Sequence, residues 1–528
     1  MLEEFTKKWK VNPVVFFSSI GVILVFIIFG VFFQERAGEV FDFIQASIVD
    51  YFGWFYVLSV AFFLVFIVII YFSPFSKVKL GPDDSEPDYT NLSWFAMLFS
   101  AGMGIGLVFF SVAEPMYHYL SPPGAEGETT EAASEAMRLT FFHWGLHAWG
   151  IYIIVGMSLA YFAFRKGLPL TIRSAFYPLL GERIYGPIGN IIDILAIFGT
   201  MFGVATSLGI GVMQVNAGLE YLAGIGESTE IQILLIALIT LAATISVVLG
   251  LDRGIKRLSN MNMSIALLLI VFLFIAGPSI FILNSLAETT GRYFQQIVAT
   301  TFWVDAMGEE EGWLGTWTLF YWGWWIAWSP FVGMFIARVS RGRTIREFIR
   351  GVLLVPTAFT FIWLSVFGST GLNIEIFQGG GISGLEAEQM LFAVLEGFPF
   401  AAVTSLLATV LIITFFITSS DSGSLVIDML ASGGNTNPPK QQRIFWAVSE
   451  GAVAAVLLYA GGLAALQTAA ITTGLPFAAV LVVMCFSLYK ALNEEHKKKG
   501  VKAREEYREI VANVIEKQKK IGDNQKTD

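Results

Sequence analysis

Tryptophan is concentrated in one short stretch of the chain. Six of the 14 tryptophans lie between Trp313 and Trp328. Trp324, Trp325 and Trp328 fall on one side of a helical wheel, inside an apolar stretch. Indole faces attract cations, and aromatic cages are the usual way to bind quaternary ammonium groups, which offer no N–H donor. The stretch therefore predicts a cation cage, and close packing of the rings is the alternative.

A second aromatic group lies in residues 143–152. Trp144, Trp149 and Tyr152 share one side of a helix. An aromatic belt at the membrane interface would explain Trp144, which lies near the start of the span, whereas Tyr152 lies deeper. His143 and His147 are four residues apart, a spacing that can hold a metal ion. No third ligand is evident, so a metalloenzyme built on these histidines is a disfavoured alternative.

Two polar segments and one carboxylate interrupt the apolar pattern. Residues 100–106 carry glycine at every second position, which supports a helix poorly. Unwound backbone in a membrane lines a cavity, where its carbonyls can coordinate a cation; close packing through small residues is the alternative. Thr418 and Ser419, next to Asp421, offer oxygen ligands for a hard ion or hydrogen bonds between helices. Glu114 would be costly at membrane depth unless it is functional or paired.

These residues belong to a chain built mainly of membrane-crossing segments. Of its 528 residues, 55% are hydrophobic and 14% are charged, whereas soluble domains are about 25% charged. Runs of about 20 apolar residues can cross a bilayer. This composition excludes a secreted enzyme, a nucleic-acid-binding domain and a disordered scaffold. We predict twelve spans, at residues 12–33, 51–73, 92–114, 139–164, 187–218, 231–251, 261–283, 314–337, 350–372, 398–420, 444–466 and 468–490.

The distribution of basic residues supports this count and gives the orientation. With both termini in the cytoplasm, all of the 33 Lys and Arg residues except Arg36, Arg138 and Arg292 fall on the cytoplasmic side, as the positive-inside rule requires. Cys485 is the only cysteine, so there is no internal disulfide. The sequence thus predicts a multi-pass protein of the plasma membrane with both termini cytoplasmic.

The chain resembles the betaine/choline/carnitine transporter family from the third span to the twelfth. The resemblance rests on GMGIGLVFFSVAEP (102–115), HWGLHAWGIY (143–152), YWGWWIAWSPFVGMFIARVSRGRTIREF (321–348) and FFITSSDSGS (415–424). The tryptophan-rich stretch and the SRGRTIREF that follows it are the most specific part. Members of this family are transporters and not enzymes.

The resemblance implies an all-α polytopic membrane protein of twelve transmembrane helices. Its third to twelfth helices are expected to form two five-helix inverted repeats, as in sodium-coupled amino-acid transporters, and the protein is expected to be a homotrimer. The implied division is a cytoplasmic N-terminus with two peripheral helices (1–91), a first repeat (92–283), an outer interfacial helix (284–313), a second repeat (314–490) and a charged cytoplasmic tail (491–528).

The resemblance also implies roles for individual residues. The box around a trimethylammonium group would consist of Trp144, Trp149, Tyr152 and Trp325, with Trp324 and Trp328 on the access path and Ser207 and Met103 beside the substrate. One sodium site would use backbone carbonyls near Ser100, Met103 and Phe415 and the hydroxyls of Thr418 and Ser419. A second would use Thr200 and Phe331. Val204 stands where the family has a further hydroxyl, which counts against this second site.

The expected function is import of glycine betaine or a related quaternary-ammonium or zwitterionic compatible solute, driven by sodium, for adaptation to osmotic stress. The expected partners are this small substrate, sodium as the coupling ion and membrane lipid, with no other cofactor and no nucleic acid. Proton-coupled choline carriers of the family often have an acidic residue where this chain has Gly106, which favours betaine. A proton-coupled choline transporter and a carnitine-type exchanger are the alternatives, and a pure osmosensor that uses the tail is a more distant one.

Overall fold

The computed structural model describes residues 9–102, 104–249, 252–308, 310 and 312–524. This part of the chain is helical apart from its loops and turns, and it includes one isolated β-bridge between Lys79 and Thr344. The all-α class predicted from the sequence is confirmed. Helices satisfy their own backbone hydrogen bonds, which is what a hydrocarbon environment demands.

The first half of the described chain contains eight helices of three turns or more. They are α1 (Pro13–Phe32), α2 (Gln34–Phe72), α3 (Asn91–Gly102), α4 (Ile105–Leu120), α5 (Thr130–Trp144), α6 (Leu146–Ala160), α7 (Pro187–Ala223) and α8 (Thr229–Leu249). Helix α1 begins at Asn12, whose side chain accepts a hydrogen bond from the Val15 amide, followed by Pro13 in the first turn. Helix α2 begins well before its predicted span, so residues 34–50 are helical as well.

The second half contains seven helices. They are α9 (Asp252–Ala276), α10 (Ser279–Thr301), α11 (Phe320–Val339), α12 (Ile345–Phe377), α13 (Ala387–Glu396), α14 (Ala401–Ala431) and α15 (Lys440–Asn524). A π-helical turn, Gly315–Leu319, precedes α11. Thr344 and Glu347 form a reciprocal capping box that fixes the start of α12.

Nine helices in the described part are long and apolar enough to cross a membrane, which makes this a multi-pass membrane protein. These nine account for ten of the predicted spans, because the last two both lie within α15. Of the other two, the third span is divided into α3 and α4, and the eighth is α11 with its preceding π-helical turn. The total of twelve spans, the inverted repeats and the domain boundaries stay predictions.

Helix α15 is interrupted by two adjacent glycines. Gly461 has φ −176° and ψ 19°, and Gly462 has φ 58° and ψ −138°. The second pair of angles belongs to a region that only glycine enters readily. The break therefore lies at residues 461–462 and not near residue 467, where the sequence placed the boundary between the last two spans.

The glycine-rich part of the third span is also interrupted. Helix α3 ends at Gly102, Gly104 is extended (φ −145°, ψ 174°) and α4 begins at Ile105. Glycine also permits close packing here, because a Cβ at Gly104 would lie 3.3 Å from Trp328 and one at Gly106 would lie 2.2 Å from Trp324. Unwinding and close packing, which the sequence offered as alternatives, therefore occur together.

Helix α11 packs against three other helices through glycines. A Cβ at Gly203 of α7 would lie 2.9 Å from Trp328. A Cβ at Gly333 would lie 2.6 Å from Val155 of α6, and one at Gly323 would lie 2.8 Å from the backbone of α15 at Ile471. Small residues at such crossings let membrane helices approach closely. The tryptophans of α11 are therefore fixed in place by α6, α7 and α15.

The start of the C-terminal tail lies against loops of the side predicted to be cytoplasmic. Glu495 accepts hydrogen bonds from Arg165 Nε (2.8 Å) and Lys166 Nζ (2.6 Å). Lys499 pairs with Asp83 at 2.8 Å, and hydrogen bonds from Lys499 and then Arg165 lower the pKa of Asp83 to about 2. The charged tail is helical and continuous with the last predicted span, and its start contacts these loops.

Candidate functional site

The two aromatic groups singled out in the sequence meet around one cavity. This cavity of about 30 Å³ lies between α4, α6, α11 and α12, and we call it the aromatic cavity. It is lined by Gly104, Gly106, Leu107, Trp144, Ala148, Trp149, Tyr152, Trp324, Trp325, Trp328 and Thr360. All six aromatic residues predicted for the substrate site therefore lie in its wall.

The rings are arranged mostly edge to face. The ring centres of Trp144 and Trp325 are 4.8 Å apart with planes at 70°, and those of Trp149 and Tyr152 are 5.5 Å apart at 78°. Trp324 stacks on Trp325 with centres 4.9 Å apart and planes at 11°. Such contacts stabilise the ring positions beyond simple burial. The wall of the cavity is thus a set of aromatic rings that support one another.

Three of the tryptophans have their indole N–H groups anchored away from one another. Trp144 Nε1 donates to Glu114 Oε2 (2.7 Å), Trp325 Nε1 donates to the His143 carbonyl (2.9 Å) and Trp324 Nε1 donates to the Gly203 carbonyl (3.3 Å). The His143 carbonyl is available because α5 ends at Trp144, and the last carbonyls of a helix lack partners within it. With their polar edges satisfied, these rings are fixed in orientation.

Two buried donors at the aromatic cavity have no hydrogen-bond partner in the described structure. They are the hydroxyl of Tyr152 and Nε1 of Trp328. Buried polar groups are normally paired, and leaving one unpaired costs about 1–3 kcal/mol. These two groups can therefore donate to a ligand that enters the cavity.

Glu114 is the centre of a hydrogen-bond network beside the aromatic cavity. Its Oε2 accepts from Tyr321 (2.5 Å) as well as from Trp144, and its Oε1 accepts from His143 Nδ1 (2.6 Å) and His118 Nε2 (3.3 Å). The carboxylate is fully buried, and four donors offset the cost of that burial. The prediction that a carboxylate at this depth would be paired is confirmed.

The histidines do not form the pair that a metal site on α5 and α6 would need. His143 turns toward Glu114, and its Nε2 accepts from Thr318 (3.0 Å), whereas His147 Nε2 hydrogen-bonds Thr301 (2.8 Å). Ligand atoms of Glu114, His118 and His143 lie within 4.8 Å of one another. The hydrogen bonds among these three side chains account for that closeness.

A second, larger cavity of about 610 Å³ lies on the predicted cytoplasmic side of Trp328, and we call it the inner cavity. Trp328 lines both cavities and separates them. The inner cavity is lined mainly by α3, α9, α11 and α14. Phe415, Thr418 and Ser419, all predicted for the first sodium site, belong to its wall.

The other residues predicted for the substrate site and the first sodium site are Ser100, Met103 and Ser207. Met103 and the side chain of Ser100 lie outside the described residues. Ser207 is buried but lines neither cavity, and its hydroxyl donates to the Gly203 carbonyl (3.3 Å), which also accepts from Trp324.

The two residues predicted for a second sodium site lie on different helices. Thr200 is buried on α7 and donates to the Ala196 carbonyl (2.9 Å), without lining either cavity. Phe331 on α11 lines the inner cavity. Val204, one turn along α7 from Thr200, is buried and packs near Gly423 of α14.

Two residues near the aromatic cavity were not predicted. Tyr321 connects Glu114 to the tryptophan-rich stretch, and its position within that stretch is a signal that was available in the sequence. Thr360 lines the aromatic cavity from α12, and its hydroxyl donates to the carbonyl of Pro356 (2.8 Å). The surrounding sequence of α12 is ordinary, so nothing there marks Thr360.

The chain is similar over nearly all its length to known membrane transporters. The profile of the BCCT, betaine/carnitine/choline family transporter, matches residues 14–497. A glycine betaine transporter of Acinetobacter baylyi is 48% identical over 488 residues, which cover 92% of this chain and 74% of that protein. The glycine betaine transporter OpuD of Bacillus subtilis is 48% identical over 92% of this chain and 95% of its own length.

A relative with another named substrate is nearly as similar. The high-affinity choline transport protein of Escherichia coli is 44% identical over 505 residues, which cover 94% of this chain and 74% of that protein. The profile match and these identities, together with the apolar helices of the fold, establish the protein class. The chain belongs to the betaine/carnitine/choline transporter family, and it is a multi-pass membrane transporter and not an enzyme.

Proposed function

We propose that this protein imports glycine betaine, or a closely related quaternary-ammonium zwitterion, together with sodium. The observation that carries the proposal is the aromatic cavity, which is lined by six aromatic residues and three of whose indole N–H groups donate to acceptors outside its lining. The named substrates of the relatives, glycine betaine and choline, both carry a trimethylammonium group. A trimethylammonium group is the kind of cation that an aromatic cavity binds.

A trimethylammonium group suits this cavity because it is a permanent cation without N–H donors. Ring faces attract such a cation without placing a formal negative charge in the membrane interior. A single desolvated cation–π contact is worth about 2 kcal/mol or more. Trp144 and Trp325, set edge to face, supply two walls of the site. The cavity of about 30 Å³ is smaller than the substrate, so the rings must move apart as it binds.

The two unpartnered donors favour a zwitterion over choline. The Tyr152 hydroxyl and Trp328 Nε1 are both buried at the cavity. A carboxylate can accept hydrogen bonds from both, and bonds to a charged acceptor are the stronger kind. The choline hydroxyl is neutral and gains less from two donors. Gly106 supports the same choice. Proton-coupled choline carriers of the family often have an acidic residue at this position, and here such a side chain would collide with Trp324.

Sodium would bind where the wall of the inner cavity is rich in oxygen. Thr418 donates its hydroxyl proton to the carbonyls of Thr414 (3.0 Å) and Phe415 (3.2 Å), which leaves its oxygen lone pairs available to a cation. Ser419 lines the same cavity. One inward positive charge contributes about 2.3 kcal/mol per 100 mV of membrane potential, and a tenfold sodium gradient adds about 1.4 kcal/mol.

The break at Gly104 provides a hinge for alternating access. Helix α3 is attached to the turn between α11 and α12, because Trp94 Nε1 donates to Ser340 Oγ (2.9 Å) and the Arg343 guanidinium lies 3.9 Å from the Trp94 ring centre. Helix α3 would therefore move with that turn while α4 stays with the aromatic cavity. We further propose a homotrimer in the plasma membrane, with both termini cytoplasmic, that accumulates the solute under osmotic stress.

The proposed function is tested by uptake of labelled glycine betaine into liposomes that contain the purified protein. We expect accumulation with an inward sodium gradient, none with potassium in its place, and little inhibition by equimolar choline. Uptake that ignores sodium, or that low choline blocks, would instead favour a proton-coupled choline carrier. Uptake that depends on substrate preloaded inside the liposomes would favour an exchanger.

Trp325→Leu is expected to abolish measurable glycine betaine binding by the purified protein. The substitution removes a ring that contacts Trp144, Trp324 and, more distantly, Tyr152. The measurement is equilibrium dialysis with labelled substrate. Trp54→Leu is the matched control, because Trp54 is 55% exposed on α2. Micromolar affinity retained in Trp325→Leu would rule out the cage assignment.

Glu114→Gln is expected to weaken glycine betaine binding by roughly tenfold to a hundredfold, since hydrogen bonds to charged groups are worth about 1.5–3 kcal/mol. The amide keeps the size of the side chain but replaces one acceptor oxygen with an NH₂ group, so one pair of donors, either Trp144 and Tyr321 or the two histidines, loses its acceptor. The same dialysis measures the change. Glu126→Gln, at an exposed position in an outer loop, should bind normally, and unchanged affinity in Glu114→Gln would contradict a positioning role.

Thr418→Ala is expected to raise the sodium concentration for half-maximal uptake by on the order of tenfold, because one oxygen ligand worth about 1.4 kcal/mol is lost. Glycine betaine affinity at saturating sodium should change little. Thr473→Ala is the control, since the Thr473 hydroxyl donates to the Ala469 carbonyl (2.8 Å) in a different helix and lines neither cavity. An unchanged sodium dependence would remove Thr418 from the site.

A further inference from the structure

Three buried carboxylates lie where α14 packs against the first part of α15. They are Asp421 and Asp428 on α14 and Glu450 on α15, with side chains exposed by 1% or less. Arg443 is the cation that accompanies them, and its Nη2 donates to Asp421 Oδ1 at 2.8 Å. Neither the aromatic cavity nor the inner cavity includes any of these residues. The transport mechanism described above leaves them without a role.

Glu450 lies within a predicted span, where a charge is costly. The first part of α15 runs from Lys440 to the break at Gly461. Glu450 is near its middle, about 15 Å from either end at 1.5 Å per residue. The predicted span begins at residue 444, so Glu450 lies about 9 Å inside the hydrocarbon core on its predicted cytoplasmic side.

The surroundings of Glu450 offer one hydrogen-bond donor. Ser420 Oγ donates to Oε2 at 3.1 Å, whereas Oε1 is buried and without a partner in the described structure. Gly423 makes room for Oε1, because a Cβ at Gly423 would lie 2.9 Å from it. The same Cβ would lie 3.0 Å from Val204, so α7 contributes an apolar side chain to this place.

The charged groups nearby do not neutralise an ionised Glu450. Asp421 would repel a negative charge there, and Arg443 is paired with Asp421. Asp428, nearer the predicted cytoplasmic end of α14, has two buried oxygens without partners in the described structure. Helix α8 packs on the same part of α15 through Thr240, which would lie 2.4 Å from a Cβ at Gly451. Among the described residues, Arg443 forms its ion pair with Asp421 and none with Glu450 or Asp428.

We propose that Glu450 is a proton-binding site that controls the sodium-binding segment of α14. A proton from water forms the O–H bond at Oε1 and leaves a neutral carboxylic acid, which the membrane interior tolerates. When α14 and α15 separate and water reaches the site, this O–H bond breaks and the proton returns to water. Ser420 directly follows Ser419, so ionisation of Glu450 displaces the segment that carries Thr418 and Ser419.

Two pH profiles test the proposal on the full-length protein. The first is the thermal stability of the detergent-purified protein from about pH 6 to about pH 9, which requires no transport. A group that binds a proton in the folded state stabilises it at low pH and loses that effect as the pH rises. We expect the melting temperature of the wild type to fall over this range, and that of Glu450→Gln, which mimics the neutral acid, to fall clearly less.

The second profile is the sodium concentration for half-maximal glycine betaine uptake, which rests on the proposed function. We expect it to rise at least severalfold from about pH 6 to about pH 9 in the wild type, and to stay near its low-pH value in Glu450→Gln. Glu494→Gln, an exposed change further along α15, should behave as the wild type does. If no sodium-coupled uptake is found, the proposed function fails, and the stability profile still decides whether Glu450 binds a proton.

A third variant covers the case in which Glu450→Gln does not fold. Ser420→Ala removes the donor that Oε2 uses, which disfavours the carboxylate, so its stability profile should shift to higher pH. A stability profile for Glu450→Gln that matches the wild type would overturn the proposal, and so would an unshifted profile for Ser420→Ala. An unchanged pH dependence of the sodium requirement in Glu450→Gln would overturn the control of the sodium-binding segment.

Discussion

The hydrogen bonds that hold the indole N–H groups are the constraint on which the site depends. A tryptophan face attracts a cation only when the ring is presented in the right direction, and in a membrane each N–H group must also find an acceptor. Glu114 meets this need for Trp144 and, through Tyr321, supports the ring layer beside Trp325. The Glu114 carboxylate thus orients the rings from outside the cavity lining. The proposed site would therefore attract a cation without holding a fixed anion.

Glycine determines how closely the helices that carry these rings can approach one another. Gly106 accepts the Trp324 ring and Gly203 accepts Trp328, so each tryptophan is held by backbone on one side. The same residue type interrupts the helix at Gly104 and ends α5 at Gly145. The second interruption frees the His143 carbonyl that Trp325 uses. Close packing and local unwinding are therefore two consequences of one choice of residue.

Sequence periodicity predicted which aromatic residues share a side of a helix, and those residues line one cavity. It could not predict the partners of their polar edges, because each indole N–H group donates to a residue of a different helix: Trp144 to Glu114, Trp325 to His143 and Trp324 to Gly203. Apolar runs located the spans, but the break in α15 depends on backbone angles at Gly462 that hydropathy does not register. The sequence also did not predict that Thr360 lines the aromatic cavity and that Ser207 lines neither cavity, because both depend on how the helices face each other.

Helix α14 brings the two proposed ion sites together on opposite faces of one element. Thr418 and Ser419 face the inner cavity, whereas Ser420 and Gly423 face Glu450 and Val204. Residues on a helix cannot move independently of their immediate neighbours, so a change in packing on one face alters the geometry of the other. If a cation binds at Thr418 and a proton binds at Glu450 as proposed, both would stabilise the same position of α14. The two sites would then be coupled without direct contact, and by linkage that coupling would act equally in both directions.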